Sequence, residues 1–135
     1  GYPMRAIRTD DFLYIRNFAP DRWPGGFPNG EQAYGGNAYG DCDGSPTKTF
    51  VIDHRDHPKY RPFYQLAFAR RPAEELYDLK KDPDQLSSVA GQPEYAEVKE
   101  QLSRRLIGEL LSTEDPRVIG GGEAFDTYPY RRRVR

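Results

Sequence analysis

Two β-rich runs on either side of a polar triplet mark the start of the chain as β-structure. Residues 4–18 read MRAIRTDDFLYIRNF, with β-branched and aromatic positions on both sides of the polar triplet Thr9-Asp10-Asp11. Two strand-forming runs separated by a polar turn are typical of a hairpin. The sequence therefore predicts a β-hairpin over 4–18.

A second period, of three to four residues, appears between Pro93 and Asp115. Apolar side chains recur there at helical spacing, and Glu, Lys and Arg occupy the positions between them. The stripe consists of Tyr95, Val98, Leu102, Leu106 and Leu110. This pattern predicts an amphipathic helix over 94–112, which the Asp115-Pro116 pair ends.

Two shorter helices are expected over 45–70. Ser45 is a good N-cap and is followed by proline, which suits the first helical position. The β-branched content of TKTFVID leaves a strand open as an alternative for the first of them. The second is predicted over 61–70, where Pro62 opens a run with helical spacing.

The remaining segments are one strand and two irregular stretches. The run ELYDL predicts a strand over 75–79, followed by an Asp-Pro turn. Residues 19–44 combine Gly and Pro turn sequences with four aromatic side chains, which indicates a long loop that packs in part on something else. Residues 116–135 are expected to form a loop-like tail. The four aromatic residues of the long loop are Trp23, Phe27, Tyr34 and Tyr39.

Composition indicates a single domain that buries part of its apolar surface against another part of a larger protein. The chain has 135 residues, of which 36% are hydrophobic, and its mean hydropathy is -0.90. Thirteen Gly and twelve Pro make it rich in loops, whereas ten Tyr and seven Phe are too many for a disordered chain. A chain that starts at Gly1 rather than Met is also expected to be a segment of a longer protein.

Charge, cysteine content and hydropathy exclude several classes of partner and structure. The net charge of -1 and pI near 6.2 provide no overall field that would attract nucleic acid or an acidic membrane. The local exception is RRRVR at 131–135, interpreted as a solvated terminus, with anion contact as the alternative. A single cysteine excludes an internal disulfide framework, and no apolar run approaches the roughly 18 residues of a membrane span.

Most candidate chemical motifs are better explained structurally. The run Asp53-His54-Arg55-Asp56-His57 offers metal-ligating types, but the sequence holds no further His, so we interpret it as a polar helix end. The glycine triplet 120–122 lacks the Lys-Ser/Thr of a phosphate loop. Cys42 lies between two acids, which disfavours its thiolate and a nucleophilic role.

The segment DCDGSPT has two possible interpretations. In DCDGSPT, residues 41–47, a predicted helix N-terminus would offer free backbone N–H groups, and Ser45 and Thr47 would add hydroxyls. The segment is either an ordinary helix cap preceded by a tight turn or a loop that lines a ligand site.

Four segments in order carry a resemblance to a known family. They are GYPMRAIRTDDFLYIRNFAPDRWP, DGSPTKTFVIDHRD, RPAEELYDLKKDPDQLSSVA and DPRVIGGGEAFDTYPY. Together they resemble the C-terminal portion of sulfatases, most of all bacterial heparan N-sulfatase (sulfamidase)-like proteins of the alkaline phosphatase superfamily. The resemblance implies an α+β fold: a small four-stranded antiparallel sheet packed by a C-terminal helix, with long irregular loops, attached to a large α/β domain.

The resemblance also implies which chemistry lies elsewhere. Sulfatases carry a Cys- or Ser-x-Pro-x-Arg motif whose first residue becomes formylglycine, and Cys42 is followed by Asp-Gly-Ser instead. We therefore expect no catalytic residue and no metal ligand in this chain. Formylglycine and calcium are expected in an N-terminal catalytic domain, which is the expected partner, and the implied location is periplasmic or extracellular.

What remains for this chain is substrate contact. The implied reaction is hydrolysis of a sulfate ester or sulfamate, with a sulfated glycan as the expected substrate and this portion walling the cleft. The expected substrate-binding residues are Asp43, Ser45 and Thr47, followed by Arg22 and Trp23. The competing hypothesis is a free-standing carbohydrate- or protein-binding module that uses the aromatic, Gly-rich loop.

Overall fold

A computed structural model describes residues 1–30 and 36–127 of the chain. Three antiparallel strands form its sheet, in the order β1 (Met4–Arg8), β2 (Phe12–Asn17) and β3 (Glu74–Asp78). The predicted hairpin is present, and the Thr9 hydroxyl closes its turn by accepting from the Phe12 N–H at 3.0 Å. The predicted strand at 75–79 lies one residue earlier.

The four-stranded sheet is wrong for the described residues, which contain three strands. The β-branched run TKTFVID, where a strand was the alternative, is helical because the Ser45 hydroxyl caps it. Beyond β3 the sheet is closed by a loop instead of a strand. The Leu76 carbonyl accepts from the Val89 N–H at 2.8 Å, and the Leu76 N–H donates to the Ser88 hydroxyl at 3.1 Å.

Three helices lie at or near their predicted positions. The first two are α1 (Pro46–Asp53) and α2 (Arg61–Ala67). A 3-10 turn over Pro93–Tyr95 leads into α3 (Ala96–Ser112), the predicted amphipathic helix.

The expectation of a loop-like tail is wrong over its first eleven residues. Residues 116–126 form α4 (Pro116–Ile119) and a 3-10 turn (Gly122–Asp126). The cause is Asp115, whose carboxylate caps α4 by accepting from the Arg117 N–H at 2.8 Å and also binds the Arg5 guanidinium at 2.8 Å. The rest of the predicted tail from 128 onward, including RRRVR at 131–135, lies outside the described residues.

The core lies between α3 and one face of the sheet. The register places Ile7, Tyr14 and Leu76 abreast on that face, with Tyr14 and Leu76 fully buried. Every third or fourth residue of α3 meets them, as the apolar stripe predicts. The buried members of the stripe are Tyr95, Leu102, Leu106 and Leu110.

The opposite face, which we call the back face, is polar at its centre and exposed at β1. Buried Glu75 accepts hydrogen bonds from the Tyr77 hydroxyl at 2.6 Å, Asn17 Nδ2 at 2.8 Å and Arg71 at 2.9 Å. Burial, together with the hydrogen bond and charge of Glu75, raises the pKa of Tyr77 to about 12. Met4 of β1, on the same face, is 45% exposed. One part of the back face is thus held by hydrogen bonds to Glu75, and the part at β1 is open to solvent.

Candidate functional site

The described residues of the long loop, 19–30 and 36–44, lie around Tyr39, which is fully buried although its backbone has φ 50°. Its ring packs on Phe68 at 4.9 Å between centroids and meets Trp23 and Tyr64 edge-on at 6.0 and 6.3 Å. Its hydroxyl lies 2.6 Å from that of Tyr64. We call these four residues the Tyr39 cluster. A left-handed backbone is unfavourable for a bulky residue, so ring burial must hold it there.

Lys48 ties this loop to α1. Its ammonium donates to the Tyr39 carbonyl at 2.9 Å and to the Cys42 carbonyl at 2.7 Å. Charged donors make the stronger hydrogen bonds, and two on neighbouring carbonyls hold the turn that leads into DCDGSPT. Sequence reasoning missed Lys48 because no local pattern reveals which backbone oxygens a lysine will meet.

The segment DCDGSPT forms a helix cap with exposed side chains beside it. The Ser45 hydroxyl accepts from the Lys48 N–H at 3.1 Å, which confirms the predicted N-cap. Asp43 and Thr47 are exposed, and their side chains have no hydrogen bond or ion pair with the described residues. The same anchored turn therefore presents a carboxylate and a hydroxyl to solvent.

Arg22 and Trp23, the two predicted substrate contacts in the preceding loop, lie in different surroundings. Trp23 belongs to the Tyr39 cluster, and the Arg70 guanidinium lies 4.8 Å from its ring centroid. Arg22 instead makes two hydrogen bonds of 2.9 Å to the carboxylate of Asp126, in the 3-10 turn that follows α4. Trp23 is thus part of the Tyr39 cluster, which also supports the DCDGSPT segment. Arg22 instead connects the loop to the 3-10 turn at the end of the described residues.

This Arg22–Asp126 pair has an electrostatic signature. The hydrogen bond from Arg22 holds the pKa of Asp126 below its ordinary value of 3.8, in spite of an opposing desolvation effect. Arg117 is a second cation, 3.8 Å from the same carboxylate. The pair is a solvent-exposed salt bridge. Two of the guanidinium nitrogens of Arg22 are already bonded to Asp126, which leaves little of the group for another anion.

The histidine-rich run 53–57 is the predicted polar helix end. His54 is the C-cap of α1, with its Nδ1 2.8 Å from the Phe50 carbonyl and its ring stacked on Phe50 at 4.1 Å. His57 Nδ1 accepts from the Lys59 N–H at 3.2 Å. Across residues 1–30 and 36–127, no three His, Cys, Asp or Glu side chains are arranged to hold a metal ion.

Comparison with known proteins links the chain to one class of enzyme. No protein-family model matches it. Two ulvan-active sulfatases of the bacterium Formosa agariphila do match, one at 27% identity over 114 residues and the other at 31% over 127 residues. The chain is similar to sulfatases.

The extent of the match is as informative as its identity. It covers 84% and 86% of this chain but only 18% and 19% of the two relatives. The chain thus spans less than a fifth of the length of the curated relatives it matches, as a sulfatase C-terminal portion would. In the described residues, no helix is long and apolar enough to cross a membrane.

Proposed function

We propose that this chain is the non-catalytic C-terminal subdomain of a sulfatase. The observation that carries the proposal is the pair of matches, which cover most of this chain and a small part of each sulfatase. The longer protein would hydrolyse sulfate esters or sulfamates of a sulfated glycan in the periplasm or outside the cell. This chain would complete its fold and wall its substrate cleft.

The reaction centre of the proposed enzyme lies in its N-terminal domain. No Cys- or Ser-x-Pro-x-Arg sequence occurs anywhere in the 135 residues. The formylglycine nucleophile and the calcium ion that stabilises charge on the sulfate group would belong to that domain. The residues described here would bind and orient the sugar.

Asp43, Ser45 and Thr47 are the proposed contacts. The Lys48 hydrogen bonds and the Tyr39 cluster fix the turn that bears them, and a rigid support lowers the entropy lost on binding. Carboxylate and hydroxyl oxygens accept hydrogen bonds from sugar hydroxyls, and the hydroxyls also donate. Trp23 has a secondary role as a wall, and Arg22 would contact substrate only by sharing its guanidinium with Asp126.

Kinetics of the full-length enzyme test these contacts. Asp43→Ala and Thr47→Ala should each raise KM for the glycan by about 2- to 10-fold, because each removes about one hydrogen bond, while kcat is little changed. Asp56→Ala and Thr49→Ala, which alter the same residue types at exposed positions on or after α1, serve as matched controls and should leave KM unchanged. An unchanged KM in the first pair would remove both residues from the cleft.

The substrate itself is tested by a direct comparison. Sulfate release from ulvan and from an N-sulfated glucosamine polymer by the same full-length enzyme separates ester from sulfamate hydrolysis. The reading frame upstream separates the sulfatase from a free-standing binding module. A Cys- or Ser-x-Pro-x-Arg sequence in that frame is expected, and a frame that lacks one would contradict the proposal.

A further inference from the structure

Two adjacent arginines that follow α2 have different surroundings. Arg71 donates to the carboxylate of buried Glu75 at 2.9 Å. Arg70 is exposed, and its guanidinium lies 4.8 Å from the ring centroid of Trp23. No hydrogen bond or ion pair joins the Arg70 side chain to a described residue. Its N–H donors are therefore available to a ligand, whereas Arg71 is committed to the fold.

Other arginines of the described residues lack this combination of support and availability. Arg117 also lies over a ring, 5.1 Å from the Phe125 centroid, but the Asp126 carboxylate is 3.8 Å from its guanidinium. Arg105 of α3 is exposed and has no carboxylate near it among the described residues, but it lies over no aromatic ring there. Arg70 is both held by a ring and free of a carboxylate.

The backbone that bears Arg70 is fixed on both sides. Two residues before it, Phe68 is buried in the Tyr39 cluster. Two residues after it, the Pro72 carbonyl accepts from Asn17 Nδ2 at 2.7 Å, and the next carbonyl, that of Ala73, accepts from the Asn17 N–H at 2.9 Å. A side chain on a fixed backbone and against a ring loses less entropy when it binds a ligand.

The ring under Arg70 belongs to the turn that contacts the proposed substrate-binding segment. Two residues after Trp23, the Gly25 carbonyl accepts from the Asp41 N–H, the first residue of DCDGSPT, at 3.1 Å. Trp23 is the residue to which we assign the cleft wall. A ligand that reaches this wall therefore meets the guanidinium of Arg70.

We propose that Arg70, held on Trp23, binds an anionic substituent of the glycan, a sulfate or carboxylate group other than the sulfate that is hydrolysed. The inference rests on the proposed function, in which the N-terminal domain holds the sulfate that is hydrolysed. A guanidinium with one face on a ring keeps the N–H groups along its edge, where they can donate two parallel hydrogen bonds to two oxygens of one anionic group. Arg70 then selects glycans that carry a second negative charge.

Kinetics of the full-length enzyme on paired oligosaccharides test this role. Both substrates carry the sulfate that is hydrolysed, and only one carries a second anionic group, which a hydroxyl replaces in the other. Arg70→Gln should raise KM about 10-fold or more for the doubly charged substrate, because it removes a charged donor pair. KM for the other substrate and kcat for both should be nearly unchanged. Equal changes in KM for both substrates, or no change in either, would overturn the inference.

Two further variants separate a specific contact from a general effect of charge. Arg105→Gln removes the same charge from an exposed site on α3 and should leave both KM values unchanged. Arg70→Lys keeps the charge but loses the planar pair of donors, so it should restore only a small part of the lost affinity. Full restoration by lysine, or an equal loss in Arg105→Gln, would show that only net charge matters and would contradict the proposed contact.

The anionic group is identified by the choice of substrate. Oligosaccharides whose second group is a sulfate or a carboxylate are compared with the wild-type enzyme and with Arg70→Gln. A loss of affinity for either group supports the inference, and the larger loss identifies the group that Arg70 binds.

Thermal melts of the full-length enzyme test the competing role, an ion pair between Arg70 and another domain. Arg70→Gln should leave the Tm nearly unchanged, because the side chain is exposed and unpaired with the described residues. A clear fall in Tm together with unchanged KM would assign Arg70 to a contact between domains and overturn the inference.

Calorimetry with the reaction product separates this inference from the sulfatase proposal. The product lacks the sulfate that is hydrolysed but keeps the second anionic group, so its binding needs no turnover, and Arg70→Gln should weaken it about as much as it raises KM. Sulfate release by the wild-type enzyme, with product binding that Arg70→Gln leaves unchanged, would contradict the role of Arg70 alone. Product binding that depends on Arg70, without sulfate release from any substrate, would contradict the sulfatase function alone.

Discussion

The sheet with α3 and the Tyr39 cluster are two centres of packing built in different ways. The first buries aliphatic side chains, such as Leu76 and Leu106, that repeat with the period of their element. The second is organised by one buried tyrosine with a left-handed backbone and by one lysine on two carbonyls. Packing of the first kind spreads stability over many residues, whereas the second concentrates it in a few directional contacts.

The largest effect is expected in the sheet and α3. Leu106→Ala should lower the free energy of unfolding by about 2–5 kcal/mol, because it removes a side chain that is 5% exposed and leaves a cavity. Leu111→Ala, five residues further along the same helix and 51% exposed, is the control and should change it by less than about 0.5 kcal/mol. Urea denaturation measures both, and equal losses would show that the apolar stripe is not the core.

A smaller loss is expected at the Tyr39 cluster. Lys48→Met should cost about 2 kcal/mol, because it removes the charged donor of two carbonyls while keeping an unbranched side chain. Lys59→Met, at an exposed position, is the matched control. Amide exchange should rise across 36–44 and remain unchanged in α3. Equal rises in both regions would contradict the view that the two centres are separate.

The smallest effect on stability is expected for the Arg22–Asp126 salt bridge, which connects the long loop to the 3-10 turn after α4. Because Arg22 lowers the pKa of Asp126, the pair stabilises the fold above the ordinary carboxyl value of 3.8 and is lost as the pH falls through the lowered value. Asp126→Asn should therefore reduce stability near neutral pH slightly and flatten its fall below pH 3.8. Thermal melts across that range measure both, and identical acid profiles would show that the pair contributes nothing.

The sheet and the long helix could be predicted from the sequence because their signals are periodic. The stripe from Tyr95 to Leu110 specifies one helix face, and the hairpin needs only a polar turn between two apolar runs. The fourth strand was implied by the resemblance alone and had no run of residues assigned to it, and the described residues contain three strands. The α4 segment was missed because its cap, Asp115, also depends on Arg5, 110 positions away.

The candidate site was predictable in part for the same reason. Ser45 is a local cap and was identified from its neighbours. Lys48 and the pairing of Arg22 with Asp126 depend on contacts between segments far apart in sequence, for which no local pattern exists. Trp23 was placed in a functional loop, and the structure shows that it also has a packing role beside Tyr39.

Sulfate release tests the central claim most directly. The full-length protein and the 135-residue chain should be incubated with ulvan and with an N-sulfated glucosamine polymer, and free sulfate should be measured over time. Our account predicts release from at least one of them by the full-length protein and none by the chain alone. Release by the isolated chain, or none from either substrate by the full-length protein, would contradict it.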